Sequence, residues 1–376
     1  MNQVTGPLAA SIKQFTENHS IAGAVLLTSE DSREPVVETL GYANLAAKKP
    51  MQPNSLFWIA SNSKQITAAA LMLLVDEGRV ALEDSVSKHL PEFEGQMFVA
   101  EEDSTHKILR QPARPVTVRD ILAHTSGILP WAREGHLNAG TLRERTLACS
   151  LTPLRFEPGS RWEYGNGGFE AAGRLLEVVS GESLETFLQT RLFDPLGMSD
   201  TTFWPSDEQL QRLATPYAPN PDGSGLIEAN LPFTYPLSGM SGSPSPGGGL
   251  FSTAGDCLLF CRLIAGGGVF EGKRLLSESA VRAMTTTQTG TLLSGPEGEN
   301  GYGLGWNTTR REGEKPWPTE GGPVDHGGAH GTNMWIDPRT RQIKVFMIAQ
   351  AGWPPDFDSG QIVRAFWKAS PQGSAN

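Results

Sequence analysis

The sequence predicts an α+β protein in which an antiparallel sheet is assembled from both ends of the chain and a mainly helical region is inserted between them. Three observations predict it: strand signals gather at the two termini, apolar residues in the middle recur at helical spacing, and a Pro-rich stretch follows the helices. In chain order, Ala22-Gly-Ala-Val-Leu-Leu-Thr28 and Pro35-Val-Val-Glu-Thr-Leu-Gly41 read as an early hairpin. Ser63 to Glu77 puts Ile66, Ala69, Ala70, Leu73 and Leu74 on one stripe and stops at Gly78, which marks a helix with a glycine at its end. Gly168 to Ser180 and Leu184 to Leu192 carry similar spacing. From Tyr217 to Gly249 the chain is broken by Pro219, Pro221, Pro232, Pro236, Pro244 and Pro246, a loop-rich return toward the sheet. Thr332 to Ile336 and Gln342 to Gln350, joined by Asp337-Pro-Arg-Thr-Arg341, form a late hairpin.

Composition narrows the function. A chain of 376 residues buries a core without disulfides, and 31 Lys and Arg against 41 Asp and Glu leave a net charge of -10. Such a surface repels phosphate backbones and anionic lipid unless it carries a basic patch, and no patch is visible, so nucleic acid is not an expected partner. The longest apolar runs, such as Ala68 to Val75, are eight residues, whereas a spanning helix needs about 20. The N-terminal segment lacks a basic stretch followed by a long apolar one, so the expected location is cytoplasmic, or periplasmic or secreted if a signal was removed. Cys149, Cys257 and Cys261 have no metal-type spacing and are expected to be core thiols.

Several chemical motifs fail on inspection. No Gly-Xaa-Ser-Xaa-Gly occurs, which argues against a nucleophile elbow of the α/β-hydrolase kind. Gly267 and Gly272-Lys273 have phosphate-loop spacing, but Arg274 stands where Ser or Thr must hold magnesium. His326 and His330 are four apart, yet Gly327, Gly328 and Gly331 break the helix that would align them on a metal. No metal and no cofactor are therefore expected.

Ser61-Asn62-Ser63-Lys64 is different. On a helix, positions i and i+3 share a face, so a Ser in the first turn has the Lys nitrogen beside its hydroxyl, where it can take up the proton. Backbone N–H groups at that end of the helix favour negative charge on an attacked carbonyl oxygen. Alone, the pattern fits equally well an N-cap Ser followed by a solvated Lys. Two further pieces add weight: Tyr164-Gly165-Asn166 lies just before a helix, where a hydroxyl near Lys64 is held as phenolate or relays a proton. His326-Gly327-Gly328-Ala329 comes just before the late strand, where small residues let a substrate lie against the sheet edge and leave an N–H exposed. Taken singly, the second is a turn with a half-buried Tyr and the third a Gly-rich bulge.

Together the three motifs resemble the active site of the serine beta-lactamase and penicillin-binding-protein superfamily, in particular class C beta-lactamases, family VIII carboxylesterases and S12 serine peptidases. The resemblance spans nearly the whole chain and includes, in family order, Phe57 to Lys64, Gly78 to Ser85, Ile121 to Gly127, Pro195 to Ser199, Gly248 to Ala254 and Gly301 to Trp306. It implies a beta-lactamase/transpeptidase-like fold, an α/β sandwich lobe beside a helical lobe. Over a single unit of 1–376 the α/β lobe is expected at about 1–55 and 240–376 and the helical lobe at about 56–239. It implies that Ser61 is the acylated nucleophile, Lys64 its activating neighbour and Tyr164 the base or relay that protonates the leaving group. Asn166 would orient Lys64 and the substrate, with His326, Gly327 and Gly328 beside it, and the N–H groups of Ser61 and Ala329 would form the oxyanion hole. His124, in the Ile121 to Gly127 segment, is expected to be a structural hydrogen-bonder.

One departure shapes the expected substrate. Class C enzymes carry Lys-Thr-Gly in the third motif, where this chain has His326, Gly327 and Gly328, so a hydroxyl near the substrate carboxylate is missing. The resemblance thus implies a serine hydrolase of small-molecule esters or amides, acting on carboxylic esters and weakly on beta-lactams. The alternatives are a class C-type beta-lactamase, a D-Ala-D-Ala carboxypeptidase or D-aminopeptidase, an acyltransferase in which an alcohol or amine replaces water, and a non-catalytic binding module.

Overall fold

In the computed structural model the described residues are 6–30, 33–129, 140–233, 237, 243–294, 300–308, 322–354 and 356–369. The main sheet takes its strands from both ends of the chain: β1 (Gly23–Glu30), β2 (Val36–Asn44), β3 (Lys49–Pro50), β4 (Gly301–Tyr302), β5 (Asn307–Thr308), β6 (Val324–Gly327), β7 (Asn333–Asp337) and β8 (Gln342–Met347). Their spatial order is β4-β5-β6-β7-β8-β1-β2-β3, and every pairing is antiparallel. The two ends of the chain meet where β1 lies against β8, with Leu26 opposite Phe346 and Leu27 opposite Val345.

The apolar run in β1 has a packing cause. Alternate side chains point to opposite faces of a strand, and both faces here are covered. Ala24 and Leu26 pack with Leu8, Ile12 and Phe15 of α1 (Pro7–Glu17) and with Ile362 and Phe366 near the C-terminus. Val25 and Leu27 belong to the large core instead, together with Ile66 and Leu73 of α2 (Ser63–Asp76). From Ser63 to Leu74 every residue of α2 is buried, so it is a central helix whose polar residues must find partners inside the protein. Against it packs α5 (Gly167–Ser180), which also meets α3 (Val118–Ala123) and α4 (Leu142–Ser150), while α6 (Ala254–Ala265) lies against β1, β7 and β8. The thiols of Cys149, Cys257 and Cys261 are buried and unbridged. Among the described residues no helix is long and apolar enough to cross a membrane.

Three local readings are extended or corrected. His326 and Gly327 precede the late strand β7 as expected, but they also form the end of a strand of their own, β6, paired with Met334 and Asn333 of β7. A four-residue strand that ends in glycine is too short to display alternation. The helix expected from Leu184 to Leu192 is α-helical only to Leu188 and then widens into a π-turn over Gln189–Phe193, just ahead of Pro195, which has no N–H to donate to the preceding turn. The Pro-rich return contains a short hairpin, Tyr217–Pro219 against Leu226–Glu228. Pro219 ends its first strand and Pro221 falls in the turn, positions where a missing N–H costs nothing. Pro236 of that stretch lies outside the described residues.

Candidate active site

The chain enters α2 through a tight elbow. Ala60 has φ +47°, a left-handed conformation that a Cβ disfavours, and Ala60–Asn62 form one 3-10 turn before the helix. The elbow is fastened from several directions. Ser63 Oγ donates to Ala60 O at 2.7 Å and accepts from the Leu250 N–H at 3.1 Å, and Ile59 N–H donates to Leu250 O at 3.0 Å. Thr332, just before β7, donates its hydroxyl to Ile59 O at 3.1 Å and accepts from Asn62 Nδ2 at 2.9 Å. This ties the elbow to the start of β7. A Cβ on Gly328 would stand 2.4 Å from Ile59 O, so only glycine fits there, whereas a Cβ on Gly327 would meet nothing closer than 3.7 Å.

Within this frame Ser61 is half-buried at the mouth of the cleft, and Lys64 lies one turn in and is fully buried. Lys64 Nζ is 3.2 Å from Ser61 Oγ, 2.7 Å from Asn166 Oδ1 and 2.6 Å from Gly247 O. Those three acceptors match the three donors of an ammonium. Burial nevertheless disfavours the charge and lowers the Lys64 pKa to about 7, while the Glu170 carboxylate pulls it upward. Free amine is therefore available near neutral pH.

Tyr164 comes in from the loop ahead of α5. Its ring centroid is 4.9 Å from Lys64 Nζ, and its hydroxyl is hydrogen-bonded to Ser61. Although 37% of the residue is exposed, protein atoms crowd the hydroxyl and push its pKa upward, with the bond to Ser61 opposing. The group is a phenol at neutral pH, which favours the relay over the phenolate. His124 positions it: the His124 ring lies 4.6 Å from the Tyr164 ring, and its Nδ1 accepts from the Gly165 N–H at 3.4 Å. Burial holds His124 well below the usual histidine range, so it is neutral.

Asn166 is the residue before α5, but its side chain does not cap that helix, because Oδ1 is committed to Lys64. On β6 the His326 ring is 5.8 Å from the Tyr164 ring, and Nδ1 contacts Gly327 O at 2.8 Å. Burial, helped by the Lys64 charge, lowers the His326 pKa to about 3. Gly327 is exposed and unpaired toward β5, whose register with β6 ends at Asp325. The Gly328 N–H donates to Thr332 O at 2.7 Å, whereas no acceptor among the described residues takes the N–H of Ser61 or of Ala329.

Sequence reasoning missed three contributors. The Gly247 carbonyl that receives Lys64 has no side-chain signature. Tyr302, in the Gly301 to Trp306 segment but given no role, is fully buried with its ring 4.9 Å from His124 and 6.1 Å from His326. Arg145 and Glu170 form an ion pair of 3.0 Å, both residues almost wholly buried. The signal for Glu170 was there: it stands one turn after Asn166 in an apolar helix, where a carboxylate needs a partner.

The chain is similar to known proteins along most of its length. The sequence profile of the family described as Beta-lactamase matches residues 8–366. Lovastatin esterase of Penicillium rubens is 32% identical over 293 residues, covering 69% of this chain and 71% of its own. Esterase EstB of Burkholderia gladioli is 26% identical over 379 residues, covering 92% and 90%. Among solved structures EstCE1, described as a hydrolase with promiscuous acyltransferase activity, superposes with a TM-score of 0.78 at 23% identity, covering 96% of this chain and 97% of that one, a likeness of fold.

Proposed function

Since this chain belongs to the beta-lactamase family, we propose that it is a serine hydrolase that cleaves carboxylic esters through an acyl-enzyme on Ser61 and acts only weakly on beta-lactams. The observation that carries the reading is Lys64: a fully buried amine 3.2 Å from Ser61 Oγ whose proton affinity sits near neutrality. In its free form Lys64 takes the Ser61 proton as Oγ attacks the ester carbonyl. The developing oxyanion is received by the N–H groups of Ser61 and Ala329, donors of a kind worth about 3 kcal/mol each. Tyr164 passes a proton from Lys64 to the departing alkoxide, and the C–O bond breaks to leave the acyl-enzyme and an alcohol. Water then attacks the acyl carbon, yields its proton through Tyr164 to Lys64, and Ser61 regains its own as the acid departs.

Asn166 and the Gly247 carbonyl hold Lys64 on line with Ser61. In this reading the whole chain is one catalytic unit, the sheet lobe supplying β6 and the helical lobe Lys64 and Tyr164. Ester preference is supported by the third motif. Gly327 offers a substrate carboxylate no hydroxyl, and neutral His326 offers it no charge. Two relatives are named as esterases. The test is steady-state kinetics with a short p-nitrophenyl ester and a cephalosporin. Wild type should show the higher kcat/KM on the ester, and Ser61→Ala should lose on the order of a million-fold in kcat. Equal efficiency on the cephalosporin would restore the beta-lactamase alternative, and ester consumption that needs an added alcohol would mark an acyltransferase.

A further inference from the structure

Burying an ion pair inside a helical layer is expensive, and replacing it with apolar groups is often neutral or better for stability. The Arg145–Glu170 pair therefore calls for a task, and its bonds indicate one. Arg145, on α4, donates Nε–H to Glu170 Oε2 at 3.0 Å, a second N–H to Gly140 O at 3.1 Å and a third to Pro244 O. Pro244 begins the short segment that ends at Gly247, the acceptor of Lys64. Thr67 of α2 holds the same segment through Pro246 O at 2.7 Å. Glu170, for its part, donates its N–H to Asn166 O at 2.9 Å and accepts the Thr146 hydroxyl on its carbonyl at 3.2 Å. Arg145 thus braces the segment that carries Gly247, and Glu170 stands one turn after Asn166, joined to it by the backbone bond of the helix. The packing is close enough for small shifts to matter: a Cβ on Gly247 would come within 2.9 Å of Asn166 Oδ1 and 3.3 Å of Lys64 Nζ.

We propose that Arg145 and Glu170 are positioning residues for Lys64, the pair bracing the segment that brings Gly247 O to its ammonium and setting, through the Glu170 charge, the pH at which the enzyme becomes active. The inference rests on Lys64 acting as the base. The groups that face Lys64 are Glu170 on α5, Tyr164 ahead of it, His124 after α3 and His326 on β6. Those that face Glu170 are Arg145 and Cys149 on α4 and Lys64 on α2. Both histidines and the tyrosine are neutral near pH 7, so Glu170 is the one member of the set facing Lys64 that brings charge. Its own pKa is raised to about 7 by burial, against the pull of Arg145. Removing that carboxylate withdraws the influence that favours the ammonium, and the free amine then persists to lower pH.

The test is the pH profile of kcat/KM for a p-nitrophenyl ester in two variants. Glu170→Gln keeps the shape and an acceptor for Arg145; its acid limb should move down by about half a unit to one unit. The double variant Arg145→Met, Glu170→Leu removes both charges while filling the space. It should show the same shift with an additional loss in kcat of about tenfold or more from the slackened brace, while a fluorophosphonate still labels Ser61. An acid limb unmoved in both variants, or a uniform loss at every pH, overturns the proposal. So does failure of both variants to fold, which would make the pair purely structural. A wild-type profile with no acid limb between pH 5.5 and 8 instead removes the reading of Lys64 as base, and this proposal with it.

Discussion

The two walls of the cleft are built on opposite principles. On the α2 side the polar side chains around Ser61 are braced: Lys64 has three acceptors, and Ser63, Asn62 and Thr332 cross-brace the elbow. On the β6 side the chain past His326 is small, exposed and sparsely bonded, with the Ala329 N–H free of any acceptor among the described residues. Under the proposed mechanism the difference divides the work between the walls. Proton transfer needs a group held in a low-dielectric place at fixed distance, and substrate binding needs open backbone against which a variable acyl group can lie.

Attacking the braced wall should be most costly. Lys64→Ala removes the proposed proton acceptor and is expected to lower kcat/KM by about 10⁴-fold or more near pH 7, measured with a p-nitrophenyl ester. Tyr164→Phe keeps the ring against His124 and loses only the hydroxyl, and about 10² to 10⁴-fold in turnover should go with it while the circular dichroism spectrum stays unchanged. Near-normal turnover of Tyr164→Phe from pH 6 to 9 would end the relay role.

The same wall predicts the pH response. In the proposed mechanism activity needs Lys64 without its proton, so kcat/KM should rise as pH passes up through about 7. His326, held at about 3, contributes no limb in that range. The profile of His326→Gln should accordingly keep the wild-type midpoint, and a displaced midpoint would show that His326 titrates with the enzyme.

On the open wall the two glycines separate. Gly328→Ala drives a Cβ toward Ile59 O and should destabilise the fold by about 1 to 3 kcal/mol, seen as a lowered Tm. Gly327→Thr has room, and its hydroxyl should raise kcat/KM for a cephalosporin about tenfold relative to the ester, the worth of one charge-assisted hydrogen bond. Equal gains on both substrates would mean that the added hydroxyl does not meet the carboxylate.

What could be read from the sequence follows the same division. Ser61 and Lys64 are legible because helical geometry guarantees that positions i and i+3 meet. The hairpins β1–β2 and β7–β8 are legible because long apolar runs between turns have few other readings. Opaque features are those whose cause is distant in sequence. β6 is a strand only because β5 and β7 pair with it, and the Gly247 carbonyl matters because α2 and α5 bring Lys64 and Asn166 beside it. Glu170 in its apolar helix signals the need for a partner, but that the partner is Arg145, 25 residues away, shows only in the fold. Pro219 sits at a strand end, where its missing N–H does no harm.

The central claim is covalent chemistry at Ser61, and intact-protein mass spectrometry followed by peptide mapping tests it directly. Protein exposed to a fluorophosphonate, a p-nitrophenyl ester and a penicillin should gain one adduct, on the peptide bearing Ser61, and Ser61→Ala should gain none. An adduct on Ser63, on Ser126 or on Ser241, which lies outside the described residues, or an adduct that persists in Ser61→Ala, would contradict the account.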